Sequence, residues 1–177
     1  MDSEALILDF LQTQKTEKAF NLIVDIYQER LYWHIRRMVL NHDDANDVLQ
    51  NTYVKIWRAL PKFQSKSKVY TWAYRIATNE SITFLNKRRV DSSFDEVSYK
   101  MQDDLTSDQY FDGNEIQSKL FKAISTLPDK QKAVFNLKYF DEMKYEEMSH
   151  VLDTSVGALK ASYHHAVKKI KQHLKSN

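Results

Sequence analysis

An all-α fold, two small helical domains joined by a flexible acidic linker, is what this sequence predicts, and three observations carry that reading. Only 2 Gly and 2 Pro stand among 177 residues, too few punctuators for many short strands and turns. Apolar residues recur at helical spacing, most clearly at Ala45, Val48, Leu49, Thr52, Tyr53, Ile56, Trp57 and Leu60. From Asp91 to Gly113 the period stops, and acids alternate with Ser and isolated aromatics, as in a mobile spacer. The expected division is therefore 1–90, a linker over 91–114, and 115–177.

A short amphipathic stretch, Glu4 to Leu11, comes first. Thr16 is a candidate N-cap for a long helix to about Leu40, with Phe20, Val24, Tyr27, Leu31, Ile35 and Met38 inward. Asp43 or Asp44 can cap the next helix, and Pro61 ends it. After a Ser- and Lys-rich loop over Phe63 to Lys68, a helix from about Val69 to Lys87 can turn Val69, Trp72, Ala73, Ile76 and Ala77 to the core.

Beyond the linker, Ile116, Leu120, Ala123, Ile124 and Leu127 mark one helix, and Pro128 suits the first turn of another reaching about Tyr139. That second helix presents Ala133, Val134, Leu137 and Lys138 along its length. A short helix from about Lys144 to Leu152, the turn Asp153-Thr154-Ser155 and a long last helix complete the chain. The last helix turns Val156, Leu159, Tyr163, Ala166, Val167, Ile170 and Leu174 inward. Two helices across a three-residue turn, the second basic outside, read as helix-turn-helix, a DNA-binding motif.

Charge narrows the partners. The net value is only +2, but it is a cancellation of blocks: −2 over 1–61, +6 over 62–89, −7 over 90–115, 0 over 116–153 and +5 over 154–177. Blocks of opposite sign suggest two anion-binding surfaces separated by an acidic connector. Aromatics interleaved with cations on the outer face of the 69–87 helix suit stacked bases and phosphates. With no cysteine, disulfides, thiolate metal sites and cysteine nucleophiles are excluded. An apolar run of about 18 residues and a signal-peptide start are both missing, so a soluble, cytoplasmic protein with no direct membrane insertion is expected.

An enzyme reading finds no residues. His164-His165 has no third ligand at helical spacing, and Glu146-Glu147 point about 100° apart. There is no Gly-rich phosphate loop and no nucleophile elbow. No metal or cofactor is expected.

The order of pieces resembles a bacterial RNA polymerase sigma factor of the sigma-70 family, extracytoplasmic function (ECF) type. Two stretches carry the likeness. One is Asp44-Ala-Asn-Asp-Val-Leu-Gln-Asn-Thr-Tyr-Val-Lys-Ile-Trp57 with Tyr70-Thr-Trp-Ala-Tyr-Arg-Ile-Ala-Thr-Asn79. The other is Leu127-Pro-Asp-Lys-Gln-Lys-Ala-Val-Phe135 with Tyr145-Glu-Glu-Met148 and Val156-Gly-Ala-Leu-Lys160. The resemblance implies a subunit that binds core polymerase and directs promoter-specific initiation, reading the minus-ten and minus-thirty-five elements and aiding strand opening. A stand-alone helix-turn-helix regulator is the alternative.

By that resemblance the helix ending at Leu60 docks on a coiled coil of the polymerase's largest subunit. Asp47, Gln50, Asn51, Val54, Lys55 and Arg58, which the periodicity also places off the apolar face, would do the docking, against the bland reading of a solvated face. The flap of the second-largest subunit and an anti-sigma factor are further implied partners. The minus-ten set would be Ser65, Lys66, Ser67 and Lys68 in the loop, then Tyr70, Trp72, Tyr74, Arg75, Asn79, Lys87, Arg88 and Arg89. Such a site must capture an unstacked base, costing a few kcal/mol that a pocket and backbone charge contacts offset. Trp72 stays open between a wedge and core packing, because the family's adjacent second tryptophan is Ala73 here. The minus-thirty-five set would be Ser155, Ala158, Lys160, Ala161, Ser162, His164, His165 and Lys168. Arginines usual in that helix are replaced by Ser162, His165 and Val167, so bidentate guanine reading by Arg is unavailable. The acidic connector would thread toward the active centre and imitate nucleic acid, or serve as a solvated spacer.

Overall fold

A computed structural model describes residues 2–91 and 114–176. Among the described residues the regular structure is helical: α1 Ser3–Gln12, α2 Thr16–Val39, α3 His42–Ala59, a 3-10 turn Leu60–Lys62, and α4 Val69–Asp91. After 92–113 come α5 Glu115–Ser125, α6 Asp129–Tyr139, α7 Tyr145–Leu152 and α8 Val156–Ser176. The linker expectation falls almost wholly on 92–113, outside the described residues.

Local chemistry sets the ends, in places one residue from where the sequence pointed. Thr16 is the first helical residue rather than the cap, and Lys15 before it makes no side-chain cap. α3 is capped by Asn41, whose side-chain oxygen Oδ1 accepts the Asp44 N–H at 3.0 Å, so Asp43 and Asp44 sit inside the first turn, where acids suit the helix dipole. Leu40, between α2 and α3, is buried in the left-handed region at φ 66° and turns the chain back on itself. Between α7 and α8 that job falls to Asp153 at φ 50°, a residue type that tolerates it. α4 runs on to Asp91, so Arg88 and Arg89 lie on its last turn.

α2 is the central strut, packed against α1, α3, α4 and also α6. Its buried row is Ala19, Ile23, Tyr27, Leu31, Ile35 and Met38, so Phe20 and Val24 are only partly buried, one position off the row expected. Ala45, Val48 and Ile56 of α3 and Val69, Ala73, Ala77 and Leu85 of α4 join the same core. Trp57 does not: it is 45% exposed. Leu174, expected inward, is 39% exposed.

The core does not stop at the linker. Ala133, Val134 and Leu137 of α6, Met148 and Val151 of α7, and Leu159 of α8 belong to one apolar cluster with the N-terminal helices. Phe135 of α6 points the other way, into a smaller cluster with Ala123, Ile124, Leu127, Ala166 and Ile170. A helix apolar on two sides is buried on two sides, and α6 thereby joins the two halves.

Candidate nucleic-acid and polymerase surfaces

The α3 face expected to dock is open. Asp47, Gln50, Asn51, Val54, Lys55 and Arg58 are all exposed, because Val48, Thr52 and Ile56 take the opposite face into the core. Asp47, Gln50 and Asn51 line a groove of about 1000 Å³ whose other wall is Glu80, Lys87 and Arg88 of α4. Lys55 is ion-paired to Glu80 across it. Trp57 stands half out of the same helix, edge-on to Phe20 at 5.2 Å. Sequence reasoning gave it to the core because it matches the helical period; its exposure beside Val54 adds a large apolar group to the exposed face of α3.

The loop before α4 presents Gln64, Ser65 and Lys66 to solvent, with Ser65 in the left-handed region at φ 53° and Ser67 half-buried. α4 is started from outside itself: the Glu4 carboxylate of α1 accepts the Val69 N–H. Trp72 packs against Phe63 at 5.0 Å on the margin of the core, which favours packing over a wedge in this arrangement. Asn79 and Lys87 are exposed, and Arg88 pairs with Asp44 at 2.8 Å.

Others of the residues expected to bind the minus-ten element meet the C-terminal half. Lys68 Nζ donates to Glu147 Oε1 at 3.2 Å, and Arg75 donates to the His150 carbonyl at 3.4 Å. Tyr74, expected on the outer face, is wholly buried, and its hydroxyl donates to Asp141 Oδ1 at 3.2 Å. Arg89 grips Asp129 with two bonds of 2.6 and 2.7 Å. Asp141 also takes Arg37 Nη2 at 2.9 Å and faces His34 Nδ1 at 3.1 Å, while His34 Nε2 meets the Thr78 hydroxyl at 2.8 Å. The groups around Asp141 are largely withdrawn from water, which strengthens each bond and penalises each loss, whereas Lys68, Arg75 and Arg89 stay exposed.

Burial and pairing show in the ionisation. Burial first, then Asp141, pushes the Tyr74 hydroxyl up. Burial likewise pushes Tyr70 up to about 12, with help from Glu147. For Glu147 burial works upward, but hydrogen bonds from Tyr70, Lys68 and the Lys144 backbone win and hold its carboxyl below the usual range. Burial pulls Arg37 and Lys132 below their ordinary values despite Asp141 and Asp129 beside them.

The α8 face expected to read DNA is exposed. Ala158, Lys160, Ala161, His164, His165 and Lys168 are exposed, Ser162 is half-buried, and Ser155 Oγ accepts the Ala158 N–H at 3.3 Å, capping the helix. Lys160 lies over the Tyr145 ring at 5.7 Å. Around Gly157 a Cβ would meet nothing within 4 Å.

Sequence reasoning missed Asp129, Asp141, Glu147 and His34, each buried or half-buried at a junction between the halves. His34 and Asp141 are 107 positions apart, and no periodic pattern reports a pairing at that separation. A polar pair, His34 and Arg37, on the inner side of α2 was the available signal.

Two family descriptions match, Sigma-70 region 2 over residues 23–90 and Sigma-70 region 4 over 117–170. Among curated relatives, the ECF RNA polymerase sigma factor SigW of Bacillus subtilis is 32% identical over 173 residues, covering 90% of each chain. The ECF RNA polymerase sigma-E factor of Haemophilus influenzae is 28% identical over 158 residues, covering 84% of this chain and 83% of its own. Among solved structures, CnrH in complex with the cytosolic domain of CnrY aligns with a TM-score of 0.71 over 99% of both chains at 20% identity. The sigma factor RpoE of Bartonella quintana, in complex with the anti-sigma factor NepR, aligns at 0.69 over 89% of this chain and 98% of its own, at 22% identity. At those identities the structures speak to the fold.

Proposed function

The chain belongs to the sigma-70 family of RNA polymerase sigma factors, in its ECF group, and on that premise we propose that it binds core RNA polymerase and directs initiation at promoters carrying its own minus-ten and minus-thirty-five elements. The observation that carries this reading is the ordered pair of matched regions, each on a surface of fitting chemistry.

Work divides between two domains, 1–90 and 115–177, with the acidic segment 91–114 between them. Asp47, Gln50, Asn51, Val54, Lys55 and Arg58, with Trp57, dock on the polymerase; their shared exposure on α3 supports this. Ser65, Lys66, Ser67 and Lys68 take a flipped base and its phosphates, and Asn79, exposed one helical face further on, reads the last paired base. The α8 face from Ser155 to Lys168 enters the major groove. Its small side chains at Ala158 and Ala161 suit thymine methyl groups, and Lys160 suits guanine or phosphate.

The protein acts as a regulatory subunit in the cytoplasm, without catalytic residues, metal or cofactor of its own, and an anti-sigma factor is a fitting partner. No described helix is long and apolar enough to cross a membrane.

Run-off transcription with purified core enzyme and genomic fragments tests this. Initiation dependent on the protein is expected, and its complete absence on every fragment would overturn the reading. Lys66→Ala with Lys68→Ala should impair open-complex formation more than core binding, and Asp47→Ala with Gln50→Ala should do the reverse. Contact with about 5 phosphates should give a log–log salt slope near −4.5.

A further inference from the structure

We propose that Glu4 is a positioning residue for strand capture: its carboxylate fixes the α4 end of the loop over 63–68, and the face of α1 that carries it supports the rest of that loop. What the loop takes hold of rests on the sigma reading; the support itself rests on contacts alone.

Glu4 is held from two sides. Its Oε1 accepts the Val69 N–H, the first amide of α4, and its carboxylate also takes the hydroxyl of Tyr27, a member of the buried row of α2. Amides in the first turn of a helix have no partner within the helix, and a carboxylate there satisfies a donor and suits the helix dipole. α3 draws on its own Asp43 and Asp44 for that charge, whereas α4 has no acid in its first turn. The acid comes from α1 instead.

The rest of the loop lies against the same helix. Glu4, Leu8 and Leu11 recur at i, i+4 and i+7, along one face of α1. Leu8, Leu11 and the adjoining Gln12 line a cavity of about 260 Å³ together with Pro61, Phe63 and Ser65. The stripe that meets Val69 through Glu4 therefore continues to the opposite end of the loop. Ile7, fully buried beside it, anchors the helix.

Both ends of the loop are fixed. The Phe63 N–H donates to the Leu60 carbonyl at 3.1 Å, and the Lys68 carbonyl accepts the Trp72 N–H at 3.0 Å. Between them Ser65 takes the left-handed region at φ 53°, and Gln64, Ser65 and Lys66 face solvent. A loop held in one arrangement before its ligand arrives spends less of the interaction energy on ordering. Loss of the Glu4 anchor frees the end next to Lys68 and removes that advantage.

Charge and geometry predict opposite signs, which makes the inference testable. Removing an acid next to a cationic loop strengthens nucleic-acid binding on electrostatic grounds alone, whereas removing an anchor weakens it. In the full chain, Glu4→Ala should speed hydrogen exchange across residues 63–72. It should also bind a labelled single-stranded dT15 about 10-fold more weakly, as expected when the competent loop arrangement falls from most of the population to about a tenth. Glu4→Gln loses the same charge but keeps an acceptor, and should stay near the wild type in both readouts. Affinity for core enzyme should be unchanged in both variants.

Unchanged exchange in Glu4→Ala would overturn the anchor, and faster exchange with equal or tighter dT15 binding would overturn its role in strand capture. An equal loss of dT15 and core-enzyme affinity would reduce Glu4 to general stability. Should Glu4→Ala lose helical signal, Glu4→Asp, which keeps the charge one methylene short of Val69, carries the same readouts. Failure of the sigma reading shows elsewhere, as absence of run-off product with core enzyme while exchange and dT15 affinity still respond.

Discussion

Arg89 at the last turn of α4 and Asp129 at the first turn of α6 face each other fork to fork, two hydrogen bonds of 2.6 and 2.7 Å joining halves of the chain 40 positions apart. Asp129 is 8% exposed at its side chain, and its other cation, the buried Lys132, stands 3.8 Å away. Arg89 is 44% exposed, which screens part of the attraction. Arg89→Lys should still lower stability by about 1 kcal/mol, because an ammonium cannot reproduce the bidentate geometry. Urea denaturation of the two proteins measures this, and an unchanged midpoint would show the fork to be dispensable.

Acid and alkali should loosen the Lys68–Glu147–Tyr70 contact from opposite sides. Glu147 is held below its ordinary value, so its contribution is complete above about pH 4.3 and is lost as pH falls through the lowered value. Tyr70 is raised from 10 to about 12, so its contribution is complete below about pH 10 and is lost as pH rises through 12. Thermal melts of the wild type and Glu147→Gln across pH should differ at neutrality and converge in acid. Parallel curves down to pH 2 would contradict this account.

Trp57→Ala should leave the fold close to intact while weakening core-polymerase binding about 10-fold, since exposed tryptophans carry a large share of interface energy. The contact with Phe20 at 5.2 Å is worth only about 0.5–1.5 kcal/mol. Titration of labelled core enzyme against both proteins separates the effects. Equal core affinity with a lower Tm would return Trp57 to a purely structural role.

Gly157 stands in the first turn of α8 with open space where a Cβ would be. Gly157→Ala should stabilise the fold by up to about 1 kcal/mol of helix propensity, read as a higher Tm. Transcription from promoters dependent on the upstream element should fall if a DNA backbone approaches there closely. A stabilised protein with unchanged promoter use would show that nothing approaches that face.

The helices were legible in the sequence wherever one face is buried and the other wet. Val48, Thr52 and Ile56 repeat as the period requires, and Asp47, Gln50, Asn51, Val54, Lys55 and Arg58 fall between them, exposed. Trp57 shows the limit: it satisfies the period yet stands at the edge of the buried sector, 45% exposed with Phe20 against one edge of its ring. Tyr74 fails for a different reason. Its ring packs on His34 and Tyr70 in the core, and its hydroxyl is met by Asp141 on the far side of the linker. α6, apolar on two sides, was the sequence's one hint that a second surface would cover α4, and periodicity does not say which helix that surface belongs to.

α1 lies wholly upstream of the stretch matching Sigma-70 region 2, which begins at residue 23. Even so, Glu4 caps α4 and Ile7 is fully buried. A protein trimmed to the matching stretch would lose the acceptor that holds the first turn of α4. Fusion partners and purification tags are for the same reason better placed at the far end of the molecule, beyond α8, than ahead of Ser3.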